Sequence, residues 1–158
     1  MKKTYNITLE KAKELYPSAS NQFKAELENH FSKKSLICNI IDKIKTFNDA
    51  CLECGTTEKD FFKKYGKLGL SDDEIAYMQL VIITKALNEG WKPDWSNGDE
   101  CKYYPYFKYS TSGFGFSHSD YADWSAGTAA GSRLCYKTSE LAMYAGKQFE
   151  KIYNQFLK

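Results

Sequence analysis

From Tyr109 to Ser132 the chain runs 24 residues on Tyr, Ser, Thr, Gly, Phe, His, Asp, Ala and Trp alone. It holds no Lys, Arg, Glu, Gln, Leu, Ile or Val, although 27% of the whole chain is charged. Without an aliphatic stripe this stretch cannot form an ordinary amphipathic helix. The helical part of the fold must therefore lie elsewhere, and this segment belongs to strands and loops. Its composition also matches that of recognition surfaces. Tyr and Trp supply rigid amphipathic contact area, while Ser, Gly and Asp supply adaptable hydrogen bonding. The candidate ligand-binding residues are Tyr109, Phe114, Phe116, His118, Asp120, Tyr121, Asp123 and Trp124.

Upstream, helix punctuation is frequent. Thr8 is placed to cap a helix to Leu15 that Pro17 stops, and Ser18 or Ser20 to cap a second with Phe23, Leu27 and Phe31 on one face. Ile37, Ile40, Ile41 and Ile44 fit a helical stripe over 35–45. Thr46 with Asp49, and Thr57 with Asp60, place a capping hydroxyl three residues before an acid. Gly55 and Gly66 then end the two short helices. Ser71-Asp72-Asp73-Glu74 is a full capping box, and the helix it opens should run to Asn88 or Glu89, closed by Gly90. Apolar residues nearly encircle that helix, Ile82 among them, so it is expected to be buried and to pack on the last helix, 139–157.

Downstream, Cys101–Ser110 reads as a strand interrupted at Pro105. Ser112–Ser117 reads as its partner in a two- or three-stranded meander, and Ser132–Lys137 as a further strand. Leu141, Ala145, Phe149, Ile152 and Phe156 line one face of a closing helix. The expected class is α+β, with a helical N-terminal two-thirds, a small antiparallel sheet late in the chain and a C-terminal helix. It is read as a single domain over 1–158, with 1–90 a helical scaffold, 91–138 β-rich and 139–158 the last helix.

A net charge of +2 is too small to argue for nucleic acid by electrostatics. No signal peptide follows Lys2-Lys3, and no apolar run approaches the ~20 residues needed to span a bilayer. The expected location is the cytoplasm or a virion. Cys38, Cys51, Cys54, Cys101 and Cys135 are an odd set, read as free thiols. Cys51-x-x-Cys54 lacks a second ligand pair for zinc and a βαβ context for redox work, so neither metal nor cofactor is expected. His30 closes an amphipathic helix. His118, beside Ser117, Asp120 and Asp123, suggests a hydrolase as one alternative, without a nucleophile-elbow pattern to support it. A second alternative is a binder of single-stranded nucleic acid using Tyr104, Tyr106, Phe114 and Phe116 with Lys102 and Lys108.

Trp91–Trp95, Lys102–Phe107, Gly131–Lys137, Glu140-Leu141-Ala142 and Gly146–Phe149 together resemble a group of uncharacterised small proteins of gut Bacteroidales and their phages. Ile44–Phe47 and Ala86–Gly90 extend the likeness over most of the chain. The segment before Ser132-Arg133-Leu134 also resembles the variable proteins of diversity-generating retroelements. Those carry a hypervariable aromatic and small-polar segment before a closing strand of a C-type-lectin-like fold. Residues 109–132 keep to the amino acids their randomised AAC codons yield, except at Trp124, and the helix after the last strand departs from that fold. The resemblance implies a non-enzymatic binding module of phage or mobile-element origin whose ligand is a protein or glycan.

Overall fold

A computed structural model describes residues 7–111, 113–122 and 133–158, and the Lys34 side chain lies outside the description. The chain is α+β, with helices first, a two-stranded antiparallel sheet late and helices at the end. It divides into two compact units, Met1–Lys43 and Ile44–Lys158.

In the first unit, α1 (Leu9–Leu15) and α2 (Asn21–His30) are capped by the Thr8 and Ser20 hydroxyls, and Pro17 falls in the 3-10 turn between them. The stripe over 35–45 makes two separate turns, α3 (Lys33–Leu36) and α4 (Ile40–Lys43). Local side chains divide it. Ser32 caps α3, and the Asn39 carboxamide accepts from Ile41 N at 3.0 Å to begin α4. Ala12, Leu27 and Leu36 form the small core, with Tyr16, Phe23 and Phe31 packed around it.

The second unit starts with α5 (Phe47–Glu53) and α6 (Glu58–Tyr65), capped at Thr46 and Thr57. Phe47 and Phe61 meet edge to face at 4.9 Å. Next comes α7 (Asp72–Leu87), opened by the Ser71/Glu74 capping box. Its end takes two left-handed residues, Glu89 at φ 49° and Gly90 at φ 87°. Ala76, Leu80, Ile83 and Leu87 are buried on it, whereas Ile82 is only half-buried. The apolar girdle thus has one deep side, at Leu80 and Ile83, and Ile82 stands beside it.

Strands β1 (Lys102–Ser110) and β2 (Gly113–Ala122) pair antiparallel, so the second strand extends past the expected Ser117. Pro105 does not interrupt β1. Tyr103 N and O bond Tyr136 O and N on the edge away from β2, and N–H groups two residues apart point to the same edge. Pro105 therefore leaves its missing donor on that outer edge, where a strand tolerates it. The same fact limits the strand expected at 132–137, of which Ser132 lies outside the described residues. The rung after Tyr103–Tyr136 would pair Pro105 with Leu134 and has no N–H to make it, and one isolated bridge remains. A register shift between Tyr106 and Phe107 leaves Ser117 as the extra residue of a bulge.

The closing helix is broken at Phe149 into α8 (Ser139–Gln148) and α9 (Glu150–Phe156), with Phe149 at φ −112°, ψ 24°. The break redirects the chain. α8 lies on both strands, and α9 turns to pack along α7, so the expected contact between the two long helical segments is made by α9. Polar groups knit these layers in the core. Thr84 Oγ1 donates to Tyr136 OH at 3.0 Å, and Tyr136 OH is 3.0 Å from Tyr153 OH. Asn88 donates to Cys135 O at 2.8 Å and accepts from Lys137 N at 3.1 Å, mimicking a strand partner for that segment.

Candidate recognition surface

Alternation along the strands gives the β1–β2 ribbon two different faces. Tyr103, Pro105, Phe107 and Tyr109 share one with Phe114, Phe116, Ser119 and Tyr121. Its middle is covered by the closing helices. Phe107 stacks on Tyr153 at 5.0 Å, the Ser119 and Ser139 hydroxyls bond at 2.6 Å, and Glu150 Oε1 accepts from Phe116 N at 3.0 Å. Phe116 and Pro105 lie directly under Gly146, the one residue type that allows this approach. The ends of this face overhang the helices. Tyr121 is 54% exposed at one end, and Tyr109 is 74% exposed at the other, set edge to face on Phe114 at 5.2 Å.

The opposite face carries Lys102, Tyr104, Tyr106, Lys108 and, across from them, Ala122, Asp120, His118 and Gly115. At its start the Lys102 ammonium is buried. It donates to Asn97 O at 2.8 Å, lies 3.6 Å from Glu100 and sits 5.5 Å from the Trp95 ring centre. The rest is more open. Tyr106, 42% exposed, stacks on the exposed His118 ring at 4.8 Å between centroids and 32° between planes. Tyr104 and Asp120 stand beside them, both half-buried; burial, and then the Asp120 carboxylate, push the Tyr104 phenol above its ordinary pKa. Lys108 is exposed beyond the bulge.

The predicted residues are thus divided. His118 and Asp120 stand on the open face, Tyr109 with Phe114 and Tyr121 at the overhanging ends of the other, and Phe116 in its packed middle. Asp123 and Trp124 lie outside the described residues. Tyr104 and Tyr106 complete the open face and fall outside the 109–130 segment. The period-two pattern of Lys102, Tyr104, Tyr106 and Lys108 was the sequence signal for them. The six residues of the nucleic-acid reading are separated as well. Phe114 and Phe116 face away from Tyr104 and Tyr106, and the Lys102 ammonium is enclosed.

For hydrolysis, His118 Nδ1 has the neighbouring Ser117 Oγ at 3.1 Å, and Asp120 Oδ1 accepts from Tyr121 N at 2.8 Å. Serine and imidazole are exposed neighbours on one strand, with the carboxylate bonded to backbone. The thiols of Cys51 and Cys135 are buried, and burial pushes each up to about 11. Cys54 is half-buried and donates to Ile82 O at 3.7 Å. Among the described residues no group of three His, Cys, Asp or Glu is placed to hold a metal ion, and no helix is long and apolar enough to cross a membrane.

No protein-family model matches the chain, and comparison with curated proteins and with solved structures gives no significant match to either.

Proposed function

We propose that the chain is a non-enzymatic binding module that recognises a protein or glycan through the open face and overhanging ends of its β-ribbon. The observation that carries this reading is the Tyr106–His118 stack, an aromatic pair left in solvent on a sheet face whose opposite side is packed. Its neighbours are of the kind that serve binding. Tyr104 and Asp120 add a phenol and a carboxylate, Ser117 a hydroxyl at a bulge, and Tyr109 and Tyr121 two further exposed rings. Two-ring-thick aromatic area at low rotamer cost, with small polar groups around it, is what adaptable recognition surfaces use. The phage or mobile-element origin rests on the resemblance described for the sequence.

A photo-reactive phenylalanine at position 106, compared with one at exposed Leu68 between α6 and α7, tests the protein arm in the cells that make the chain. A glycan array probed with the parent and with Tyr106→Ala/His118→Ala tests the other. A discrete adduct at 106 and not at 68, or array binding lost in the double variant, is expected. Failure of both arms refutes the proposal.

A further inference from the structure

We infer that a second surface, the groove along α8 and α9, binds single-stranded nucleic acid, with lysines on the phosphates and the Tyr109–Phe114 pair, the one part it shares with the proposed recognition surface, stacking bases. Two adjoining clefts define it. One, of about 420 Å3, is lined by Lys45, Thr46, Phe47, Lys147, Gln148 and Lys151 among others. The second, of about 590 Å3, is lined by Gly113, Phe114, Lys151, Asn154, Gln155 and Lys158. Glu150 and Lys151 are walls of both.

The charge there departs from that of the molecule. The whole chain has 22 basic against 20 acidic residues, whereas the described residues of these walls include four lysines and one carboxylate, that of Glu150. That carboxylate is turned to the Phe116 N–H. All four lysines are exposed, and two are held over rings: Lys45 at 5.3 Å from the Tyr144 centre and Lys147 at 5.9 Å from that of Phe116. Lys147, Lys151 and Lys158 recur at spacings of four and seven along the closing helices. Lys147 on α8 and Lys151 on α9 flank the break at Phe149 and line the first cleft together, while Lys151 and Lys158 line the second, so the lysines run from one cleft into the next. Such a row suits a linear array of phosphates.

Charge alone would fit any polyanion; the rings choose among them. Phe114 lines the groove, and Tyr109, the most exposed large hydrophobic residue described, stands against it. A cationic track that ends on an aromatic platform is the arrangement that binds single strands, with phosphates on the lysines and bases on the rings. The set differs from the residues of the nucleic-acid reading drawn from the sequence, since only Phe114 is common to both.

The test is fluorescence anisotropy of a labelled mixed-sequence 12-nucleotide DNA with the full chain at 50 and 200 mM salt. Neutralising four phosphates of a single strand makes affinity fall with a log–log slope of about −2.8, a roughly 50-fold loss over that range. Lys151→Ala should lower the slope by about 0.7. Tyr109→Ala/Phe114→Ala should weaken binding at least about fivefold at both salts and leave the slope unchanged. Heparin and polyglutamate serve as competitors. Displacement by either at a charge-matched concentration as low as that of unlabelled DNA would overturn the assignment to nucleic acid. So would undetectable binding at 50 mM salt, or parent affinity in a folded Lys147→Glu/Lys151→Glu variant. The Tyr106→Ala/His118→Ala variant should bind the oligonucleotide like the parent, which separates this surface from the ribbon's open face.

Discussion

Gly146→Ala puts the packing of α8 on the ribbon to a test of sign. On an exposed helix position, Gly to Ala stabilises by roughly 1 kcal/mol through helix propensity. At Gly146 the added carbon would lie 2.3 and 2.4 Å from two ring carbons of Phe116 and 2.8 Å from Pro105 Cβ. Carbon atoms pack at about 3.5–4.0 Å, so ring or helix must yield by more than about 1 Å. The ring has little room, since Phe107 abuts it edge to face at 5.8 Å. Overpacking of this kind costs roughly 1–3 kcal/mol, and its upper half exceeds the propensity gain. We expect a net loss of about 1 kcal/mol, or a Tm lower by about 2–4 °C. Scanning calorimetry and urea unfolding read it directly. Phe116→Leu in the Gly146→Ala background should restore part of the loss, giving a favourable coupling energy in the double-mutant cycle. A Gly146→Ala protein melting at or above the parent would refute the close approach of α8 to the sheet.

Ile83→Asp should abolish folding of the second unit, because an unpaired charge would replace a fully buried side chain; Ile82→Asp should leave a folded protein by circular dichroism. Asn88→Ala, which strips the Cys135 carbonyl and Lys137 N–H of their side-chain partner, should cost about 1–3 kcal/mol in urea unfolding. Burial pushes the Tyr136 phenol up to about 12 and raises that of Tyr153. The unfolded chain releases those protons near pH ~10 while the folded chain keeps them. Stability should therefore be full below about pH 10 and fall as pH climbs toward about 12, with tyrosinate absorbance appearing together with unfolding. His118→Ala/Asp120→Ala/Tyr121→Ala, on exposed or half-buried positions, should change stability by no more than about 0.5 kcal/mol per site.

Helix starts were legible because they are local. Thr8, Thr46 and Thr57 each sit where a hydroxyl accepts a backbone N–H, Ser71 where its N–H and hydroxyl meet the Glu74 carboxylate, and each opens a helix. The late antiparallel pair was legible from aromatic alternation and its glycines. What could not be read depended on neighbours distant in sequence. The closing segment looks like one helix by periodicity, and it breaks at Phe149 because its halves serve different partners, a sheet and a helix. The strand expected at 132–137 was reduced, over its described residues 133–137, to a bridge by a proline some thirty positions earlier. For the candidate surface, composition drew attention to the ribbon. It could not tell the two faces of a strand apart, and so joined Phe116, which packs under Gly146, with His118, which points the other way.

Tyr136 belongs to two layers at once. Its backbone exchanges both hydrogen bonds with Tyr103 in the ribbon, while its side chain spans from Thr84 on α7 to Tyr153 on α9. A two-stranded ribbon by itself is at best marginally stable in water. Here it cannot be peeled away without pulling a phenol out of the helical core. The ribbon's amides near Tyr103 should therefore exchange with solvent only in the same opening event as those of α7, making sheet and helices a single cooperative unit.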